Sequence, residues 1–412
     1  MKELRIVIIG GGAAGMIASI AAARNGAEVF ILEQLPRVGK KLLATGNGRC
    51  NLTNANMNIR SFHGSNAAFA LTALKQFDER AVMDFFEDLG IHCVIESEGK
   101  VFPASGQASS VLDVLRFEMA YLGVKEICDA RVESITYGKK GFKIRVKDRD
   151  AITADKVILA AGGKANPGLG SNGSGYTLAK ALGHNLIEPF PALVKLKIDA
   201  PYLKALSGAK LNGEAAIEAD GKVLRQERGE ILFADYGLSG PPIIQLSRTA
   251  GEQLRRGKKA NIILDLFPEK SLKEIEDLLK RRTSLREYKP FDFSFIGLIN
   301  KRFINVILKE AGISALQTPC KDITSDEIKV VARKMKRWVM SISATRSWSE
   351  AQVTAGGIDV ADIDAETMES KIIPGLYFAG EIMDIDGDCG GFNLQWAWSS
   401  GYVAGLSASL NK

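Results

Sequence analysis

The sequence predicts an α/β protein in which one parallel-sheet domain is split by a β-rich insert and a small helical domain. Three observations lead to this prediction. A strand–glycine loop–helix–strand pattern opens the chain, apolar runs with glycine return near its end, and short strands followed by amphipathic helices lie between them. We expect a discontinuous domain at residues 1–188 plus 349–412, a β-rich domain at 189–265 plus 338–348, and a helical subdomain at 266–337.

The N-terminal residues predict a βαβ unit. Leu4–Ile9 is a short apolar run, as expected of a buried parallel strand. Ala13–Asn25 is rich in alanine and is followed by Gly26, a residue type that commonly terminates helices. Glu28–Glu33 has the composition of the second strand.

Periodicity predicts the remaining elements. In the split domain we expect helices at Ala67–Leu89 and Ser109–Leu122 and strands at Glu126–Tyr137, Phe142–Lys147 and Ala151–Ala160. In the insert we expect strands at Leu193–Ile198, Glu214–Ala219, Lys222–Leu224 and Asn261–Leu264. Amphipathic helices are expected at Ser271–Arg282, Phe295–Glu310 and Ser325–Arg337, and a last helix from about Asn393.

The segment Gly10-Gly11-Gly12-Ala13-Ala14-Gly15 fits the pattern G-x-G-x-x-G between a strand and a helix. Gly10 permits the tight turn, Gly12 lets the backbone approach a pyrophosphate, and Gly15 lets the helix pack on the sheet. Glu33, followed by Gln34, ends the next strand, and Glu33 would accept hydrogen bonds from ribose hydroxyls. The alternative is a plain glycine-rich turn, but this context favours a dinucleotide site.

The glycine loop alone does not distinguish NAD from FAD. Two further apolar strand ends carry glycine far downstream, at Val157–Gly163 and Leu376–Glu381. A two-βαβ NAD domain would be complete early in the chain, whereas such segments return to the same sheet in two-domain flavoproteins. The pattern therefore favours FAD. Because no second G-x-G-x-x-G is present, NADH or NADPH is expected only as a transient reductant.

Several longer motifs carry a more specific resemblance. They are the run from Gly39 to Asn54, Val101–Pro103, Gly237–Pro241, Val353–Gly357 and Gly390–Asn393. In these motifs the chain resembles a bacterial FAD-dependent flavoprotein family that includes aminoacetone oxidase, 3-dehydro-bile-acid delta(4,6)-reductase and ribosomal-RNA dihydrouridine synthase. The resemblance extends from Ile6 to Gly405 and implies a Rossmann-like, two-dinucleotide-binding-domain flavoprotein.

The resemblance also implies which residues lie near FAD. Val132 would hold the adenine through its backbone, with Ala161 and Gly162 near the adenosine half. The residues expected around the flavin and its phosphates are Lys40, Lys41, Thr45, Gly46, Asn47, Gly48, Arg49, Cys50 and Asn51. Those expected near the ribityl chain and ring are Gly380, Glu381, Asp386, Gly390, Gly391, Phe392 and Asn393. The chemistry agrees, because lysines offset pyrophosphate charge and a helix N-terminus stabilises an anionic flavin edge.

The family activities leave the reaction open. One is NAD(P)H-driven reduction of a C=C bond conjugated to a carbonyl, as in an unsaturated 3-oxo steroid. The others are the same reduction of a uridine in ribosomal RNA and the oxidation of a small amine by O₂. A flavin-binding scaffold without turnover is a further alternative. The absence of a separate nicotinamide domain favours an oxidoreductase that acts on the CH–CH group of a small unsaturated carbonyl substrate.

Arg49, Cys50 and Asp386 are the candidate catalytic residues beside the ring. Arg49 would polarise a carbonyl, and Cys50 or Asp386 would donate a proton, or all three would only position the flavin. No metal site is predicted. The three histidines are expected to be structural or exposed: His63, His92 and His184.

The net charge of +6 is unevenly distributed. The basic clusters are Arg255, Arg256, Lys258 and Lys259; Lys280, Arg281 and Arg282; and Arg333, Lys334, Lys336 and Arg337. They are expected either as solvated helix faces and helix ends or as a surface for ribosomal RNA. Five scattered cysteines without CxxC spacing, and no apolar run of bilayer-spanning length, predict a cytoplasmic protein without a membrane partner. The sequence leaves the substrate and the oligomeric state open.

Overall fold

The computed structural model describes residues 4–410, which form two compact units. The split unit comprises the chain up to Pro191 and from Ala351 onwards, and the inserted unit comprises Ala192–Glu350. Each unit has its own cluster of buried hydrophobic residues. The chain therefore leaves the split unit once and returns to it once.

The first part of the split unit alternates strands and helices. Its strands are β1 (Arg5–Ile9), β2 (Glu28–Leu32), β3 (Thr53–Asn54), β4 (Phe62–His63), β5 (Cys93–Ile95), β6 (Lys100–Pro103), β7 (Lys125–Ile127), β8 (Val132–Gly138), β9 (Gly141–Val146), β10 (Ile152–Ala154), β11 (Lys156–Leu159) and β12 (Leu186–Ala192). Its helices are α1 (Ala13–Arg24), α2 (Ala70–Gln76), α3 (Glu79–Asp88), α4 (Ala108–Tyr121) and α5 (Ser174–Ala181).

The inserted unit and the returning segment follow. The inserted unit contains β13 (Leu196–Asp199), α6 (Leu203–Leu206), β14 (Lys210–Ala219), β15 (Lys222–Ala234), β16 (Gly237–Ser239), α7 (Pro241–Arg255), β17 (Ala260–Asp265), α8 (Leu272–Ser284), α9 (Lys301–Glu310), α10 (Ser325–Lys336) and β18 (Trp338–Thr345). The returning segment contains β19 (Val353–Ile358), β20 (Leu376–Phe378), β21 (Asp386–Gly387) and α11 (Phe392–Leu410).

The main sheet of the split unit is parallel and has the strand order β20-β11-β1-β2-β7. Ile6, Val7 and Ile8 in its central strand are fully buried, as expected where both faces of a parallel sheet are covered. The edge strand β20 comes from the returning segment and pairs with β11. The sheet that follows the glycine loop is therefore completed by residues near the C-terminus.

Helices α1 and α11 pack closely through glycine. A Cβ added to Gly401 would lie 2.5 Å from the carbonyl oxygen of Ala14, and one added to Gly405 would lie 2.2 Å from that of Ala18. Neither distance is sterically allowed, so this helix–helix contact depends on the missing side chains. It holds α11 directly against the helix that begins at the glycine loop.

The inserted unit is built around a closed barrel with the order β13-β16-β15-β14-β17-β18. Trp338, Phe233 and Phe303 are buried in its core and contact one another as aromatic pairs. Helices α8 and α10 both begin with a capping box, Ser271 with Glu274 in α8 and Thr324 with Glu327 in α10.

The predicted α/β fold with a β-rich insert is confirmed, but several element boundaries differ. The single helix expected at Ala67–Leu89 is two helices, because Asp78 caps a new one by accepting a hydrogen bond from Ala81 N at 2.8 Å. The strand expected at Ala151–Ala160 is two strands in different sheets. Helix α7 was not expected, and it begins at Pro241. The functions assigned to the three predicted domains stay predictions.

The strand expected at Glu126–Tyr137 is also two strands, since β7 joins the main sheet and β8 joins a three-stranded sheet with β9 and β10. Helix α5, which follows Gly173, was not expected either. Within residues 4–410, no helix combines the length and the hydrophobicity needed to cross a bilayer.

Candidate dinucleotide site

The glycine loop between β1 and α1 has one open position. A Cβ on Gly10 would lie 2.4 Å from Ala160 O, and a Cβ on Gly15 would lie 1.9 Å from Gly10 O. A Cβ on Gly12 would meet no atom within 4 Å. Gly10 and Gly15 are therefore required by the fold itself. Gly12 keeps space clear at the N-terminus of α1, where Ala13 and Ala14 form the first turn, as phosphate binding requires.

Glu33 lies at the end of β2 and is 9% exposed. Its carboxylate accepts hydrogen bonds from Gly11 N and from Leu35 N, both at 2.8 Å. Burial raises the pKa of Glu33, while the backbone hydrogen bonds from Leu35 and Gly11 oppose this shift. Each carboxylate oxygen has two lone pairs, so both remain able to accept one further hydrogen bond. The carboxylate thus also fixes the shape of the glycine loop, a role that the sequence analysis did not assign.

A cavity of about 500 Å³ lies beside β8 in the split unit. Its lining residues are Arg131, Val132, Glu133, Asn172, Gly173, Ser174, Thr177 and Leu178. Gln34 joins this cavity to the end of β2, because its side chain donates to Gly170 O at 2.6 Å and accepts from Asn172 Nδ2 at 3.0 Å. Val132, expected at the adenine, and the acid-bearing strand end are therefore linked by direct contacts.

Lys40 and Lys41 have different surroundings. Lys40 is exposed. Lys41 Nζ lies 2.7 Å from Glu381 Oε2, and the other oxygen of Glu381 accepts from Thr354 N at 2.8 Å. Thr354 Oγ1 in turn accepts from Lys164 N at 2.8 Å. The predicted residues Lys41 and Glu381 thus join into one network, in which the charge of Lys41 is offset by a carboxylate.

The segment 45–51 has an irregular backbone. Gly46, Asn47, Gly48 and Cys50 all have positive φ, with values of 56°, 55°, 85° and 61°. For Asn47 and Cys50 this conformation costs on the order of 1 kcal/mol or more, and such residues cluster at ligand sites. Gly46 and Gly48 are exposed, and Thr45 anchors the segment by donating to Leu42 O at 2.6 Å.

Asn51 provides a direct indication of a missing partner. Its side-chain Oδ1 is buried and has no hydrogen-bond partner among residues 4–410. A buried polar atom without a partner is costly, so proteins satisfy nearly all of them. We therefore expect a bound group to donate to it.

The segment 386–393 lies against the segment that follows 45–51. The side chain of Asn54 donates to Gly390 O at 2.8 Å, and a Cβ on Gly391 would lie 2.3 Å from Thr53 O. Asn393 fixes the loop by accepting from Gly387 N at 2.8 Å, and Phe392 begins α11. The structure therefore brings together two of the segments that the resemblance assigns to the flavin.

Ala161, Gly162 and Gly380 lie where the strands of the main sheet end. Ala161 and Gly162 follow β11, and Gly380 follows β20, which pairs with it. A Cβ on Gly380 would lie 2.8 Å from the Cβ of Ala14 in the first turn of α1. The carboxyl ends of the parallel strands thus meet at the glycine loop, the usual position of a ligand in an open α/β sheet.

The three candidate catalytic residues differ in accessibility. Cys50 is fully buried, and burial raises the pKa of its thiol to about 12, which disfavours it as a proton donor. Arg49 lies 4.0 Å above the Phe102 ring and pairs with Glu96, its Nη1 lying 3.2 Å from Oε2. Asp386 is buried in β21.

Sequence reasoning missed several polar residues of this region. Thr354 was noted only within a motif, although its hydroxyl binds the backbone after β11. The Tyr176 hydroxyl is buried without a hydrogen-bond partner among the residues that the structure describes, and burial raises its pKa well above the usual value. His63 Nε2 lies 2.7 Å from Asp388 Oδ1. None of these residues has a periodicity or spacing that would have marked it.

Comparison with known proteins decides the family. The family described as "HI0933-like protein Rossmann domain" matches residues 4–407. The chain belongs to this family. This HI0933-like chain is 40% identical over 408 residues to the 3-dehydro-bile acid delta(4,6)-reductase of Clostridium scindens, covering 98% of this chain and 99% of the relative. It is 28% identical over 406 residues to the ribosomal RNA dihydrouridine synthase of Escherichia coli, covering 98% and 97%.

Solved structures agree with the fold of this HI0933-like protein. The 3-ketosteroid delta1-dehydrogenase from Sterolibacterium denitrificans, in complex with 1,4-androstadiene-3,17-dione, is similar with a TM-score of 0.50 and 13% identity, covering 99% of each chain. The apo form of the Mycobacterium smegmatis Sdh1 complex is similar with a TM-score of 0.50 and 15% identity, covering 99% of this chain and 68% of that one. At these identities the likeness concerns the fold alone. The predicted family and fold are confirmed.

Proposed function

We propose that this chain is an FAD-dependent reductase of a C=C bond conjugated to a carbonyl in a steroid-like substrate, with NADH or NADPH as transient donor. The main support is the 40% identity, over nearly the whole of both chains, to a 3-dehydro-bile acid delta(4,6)-reductase. The ribosomal RNA dihydrouridine synthases match over a similar length at 28% and 27%. The prediction of an FAD-dependent oxidoreductase is confirmed at that level, and the substrate and the donor are part of the proposal.

The residues present fit FAD. The open space at Gly12 and the N-terminus of α1 would take the pyrophosphate, and the cavity beside Val132 would take the adenosine half. Segments 45–51 and 386–393 would hold the flavin, with Asn51 Oδ1 accepting a hydrogen bond from it. FAD supplies the hydride transfer when it is bound.

The chain itself must supply or conduct a proton. When a hydride is added at the β-carbon of an unsaturated carbonyl, a proton must reach the α-carbon. Cys50 is a poor donor because burial raises its pKa to about 12. Arg49 pairs with Glu96 and stacks on Phe102, which favours a positioning role. We therefore assign proton delivery to Asp386, directly or through water.

Reduction of uridine in ribosomal RNA is the second candidate function, and the relatives at 28% and 27% favour it. The basic clusters support it less than their sequence suggests, because many of their members have partners. Ion pairs join Arg256 to Glu252, Lys258 to Asp220, Lys334 to Glu310, Lys336 to Asp265 and Arg337 to Glu218. The Arg282 guanidinium donates to Ser294 O and Ile296 O, both at 2.7 Å. These partners reduce the positive field available to an RNA backbone.

The test offers both substrates to the same enzyme. FAD-loaded protein is reduced with NADH or NADPH without oxygen and mixed with a 3-oxo steroid carrying conjugated C=C bonds, or with unmodified ribosomal RNA. We expect rapid flavin reoxidation by the steroid, with a product two hydrogens heavier, and none by the RNA. Asp386→Asn should slow this reoxidation and leave the preceding reduction unchanged. Reoxidation by the RNA alone would transfer the assignment to the second candidate.

A charge variant provides the control. Replacing Arg255, Arg256, Lys258 and Lys259 together by glutamine should leave steroid turnover unchanged, because no phosphate backbone has to be bound. If RNA were the substrate, the same variant should weaken its binding, and the binding of the unchanged protein should fall steeply with salt. Reduction of the oxidised flavin by a small amine, followed by reoxidation with O₂, would instead indicate an amine oxidase.

A further inference from the structure

Two basic side chains, one acid and one aromatic ring converge in the inserted unit. Lys195 precedes β13, Tyr236 precedes β16 and Arg346 follows β18. Strand β13 lies between the other two strands in the barrel, and Arg346 N donates to Lys195 O at 2.9 Å. The three residues are therefore at adjacent strand ends. Glu350, four residues after Arg346, completes the group, which we call the Lys195–Arg346 cluster.

The contacts within this cluster are close. Lys195 Nζ lies 3.1 Å from Glu350 Oε2, and Arg346 Nη2 lies 2.7 Å from Glu350 Oε1. The Arg346 guanidinium carbon lies 4.5 Å from the centre of the Tyr236 ring, and Lys195 Nζ lies 6.0 Å from it. Two cations thus share one carboxylate around an aromatic ring, which leaves one positive charge uncompensated within the cluster.

The cluster is neither buried nor fully exposed. The side chains of Lys195, Arg346 and Glu350 are 39%, 31% and 24% exposed. A solute can therefore reach both cations, while the partial burial reduces their screening by water.

Both cations keep their charge near neutral pH. The hydrogen bond to Glu350 raises the pKa of Lys195 above its usual value. Burial alone would raise the pKa of Glu350, but the hydrogen bonds from Lys195 and Arg346 lower it overall. The arrangement of two positive charges and one negative charge is therefore stable over the range in which an enzyme of this kind would work.

We propose that the Lys195–Arg346 cluster binds the carboxylate at the end of an apolar, steroid-like substrate. The proposal rests on the proposed function and adds that the substrate is an anion and not a neutral steroid. A guanidinium offers a planar pair of donors that matches a carboxylate, and stacking on Tyr236 holds that plane in place. The lysine supplies the second charge.

An exposed ion pair with a purely structural role would explain part of this geometry. It would not require a second cation on the same carboxylate, nor an aromatic ring beneath one of them. Such pairs also contribute little to stability, so their removal should have small effects in every direction. The carboxylate site makes a different prediction, because Glu350 would then compete with the substrate for both cations.

The test compares a steroid acid with its neutral methyl ester, using FAD-loaded enzyme and the same unsaturated ring system. Arg346→Gln and Lys195→Met should each raise the KM for the acid on the order of 10-fold, since charge-assisted hydrogen bonds are lost. The KM for the ester and the kcat for both should be unchanged. Glu350→Gln should lower the KM for the acid, which is an effect of opposite sign. Lys197→Met, an exposed lysine on β13, is the matched control and should change neither KM.

Three results would overturn the proposal. If all variants change acid and ester equally, or if Glu350→Gln weakens the acid as the cation variants do, the cluster is structural. If the KM for NADPH rises while that for the acid does not, the anion recognised is a nucleotide phosphate. If all variants behave like the unchanged protein, the substrate carboxylate is bound elsewhere.

Failure of the proposed function is distinguishable from failure of this inference. If the unchanged protein reduces neither steroid, the proposed function has failed, and binding decides the rest. Titration of the FAD-loaded protein with the steroid acid, followed by calorimetry, should then give an affinity that Arg346→Gln weakens and Glu350→Gln strengthens. An affinity equal in all variants would remove the site.

Discussion

The split unit and the inserted unit reach dense packing by different means. In the split unit, backbone approaches backbone where glycine removes the side chain, as at Gly15 against Gly10 and at Gly405 against Ala18. In the inserted unit, large side chains fill the space, and the ring centres of Phe233 and Trp338 are 5.6 Å apart. The first kind of contact does not tolerate one added carbon atom. The second kind tolerates changes in proportion to the volume removed.

This difference teaches where the constraints on each unit lie. Close backbone approach is needed where the protein must bring peptide groups to a ligand, so in the split unit the constraint from folding and the constraint from binding fall on the same short motif. The inserted unit has no such requirement in its core, and its constraints are hydrophobic volume and helix capping. The following three experiments test this contrast in order of decreasing expected effect.

The largest effect is expected within the glycine loop. Gly15→Ala would place a Cβ 1.9 Å from Gly10 O, so the loop cannot keep its structure and we expect little or no folded protein. Gly12→Ala meets no atom within 4 Å, so the protein should fold with near-normal Tm and fail to retain FAD. Circular dichroism and the flavin absorbance of the purified proteins measure the two properties. A Gly12→Ala protein that binds FAD normally would show that the pyrophosphate lies elsewhere.

A smaller effect is expected in the barrel core. Trp338→Ala should lower the free energy of unfolding by about 3–5 kcal/mol, because a fully buried ring is replaced by a cavity. Trp338→Phe should cost less, since most of the volume is kept. The residues proposed for FAD all lie in the split unit, so FAD affinity at low temperature should be the same in both variants. Loss of FAD in step with loss of stability would contradict the separation of the two units.

The smallest effect concerns pH and the split unit alone. His184 is 4% exposed, with Nε2 2.7 Å from Ser370 Oγ, and burial lowers its pKa. The unfolded chain therefore takes up the proton first, at about pH 6.5, and stability should fall as the pH decreases below that value. Urea unfolding at several pH values measures this slope, and His184→Gln should flatten it. His92→Gln is the control, because its side chain is 77% exposed. Equal slopes in both variants would refute the assignment.

The sequence was most informative where local signals and tertiary structure agree. The expected ends of β1, α1 and β2 lie within one residue of those observed, because glycines and apolar runs mark them. Helix α7 escaped prediction because Pro241 and Pro242 suggested a turn, although proline is well tolerated in the first turn of a helix.

Other features depend on contacts that no periodicity encodes. The expected strand at Ala151–Ala160 divides at Asp155, whose carboxylate accepts from Arg5 N at 2.9 Å in the main sheet. The ion pair of Lys41 with Glu381 joins residues 340 positions apart. The resemblance identified both residues, but only the structure shows that they neutralise each other.

The position of β20 has a consequence for synthesis on the ribosome. The outer edge of β11 is paired by a strand that begins at Leu376, so the inserted unit must leave the exit tunnel first. At about 5–20 residues per second the delay is on the order of 10–40 s. During that time an apolar strand edge is available to other nascent chains, while Ala192–Glu350 is already complete. A trigger-factor-type chaperone is thus needed most in the interval between the completion of the barrel and the arrival of the last strand.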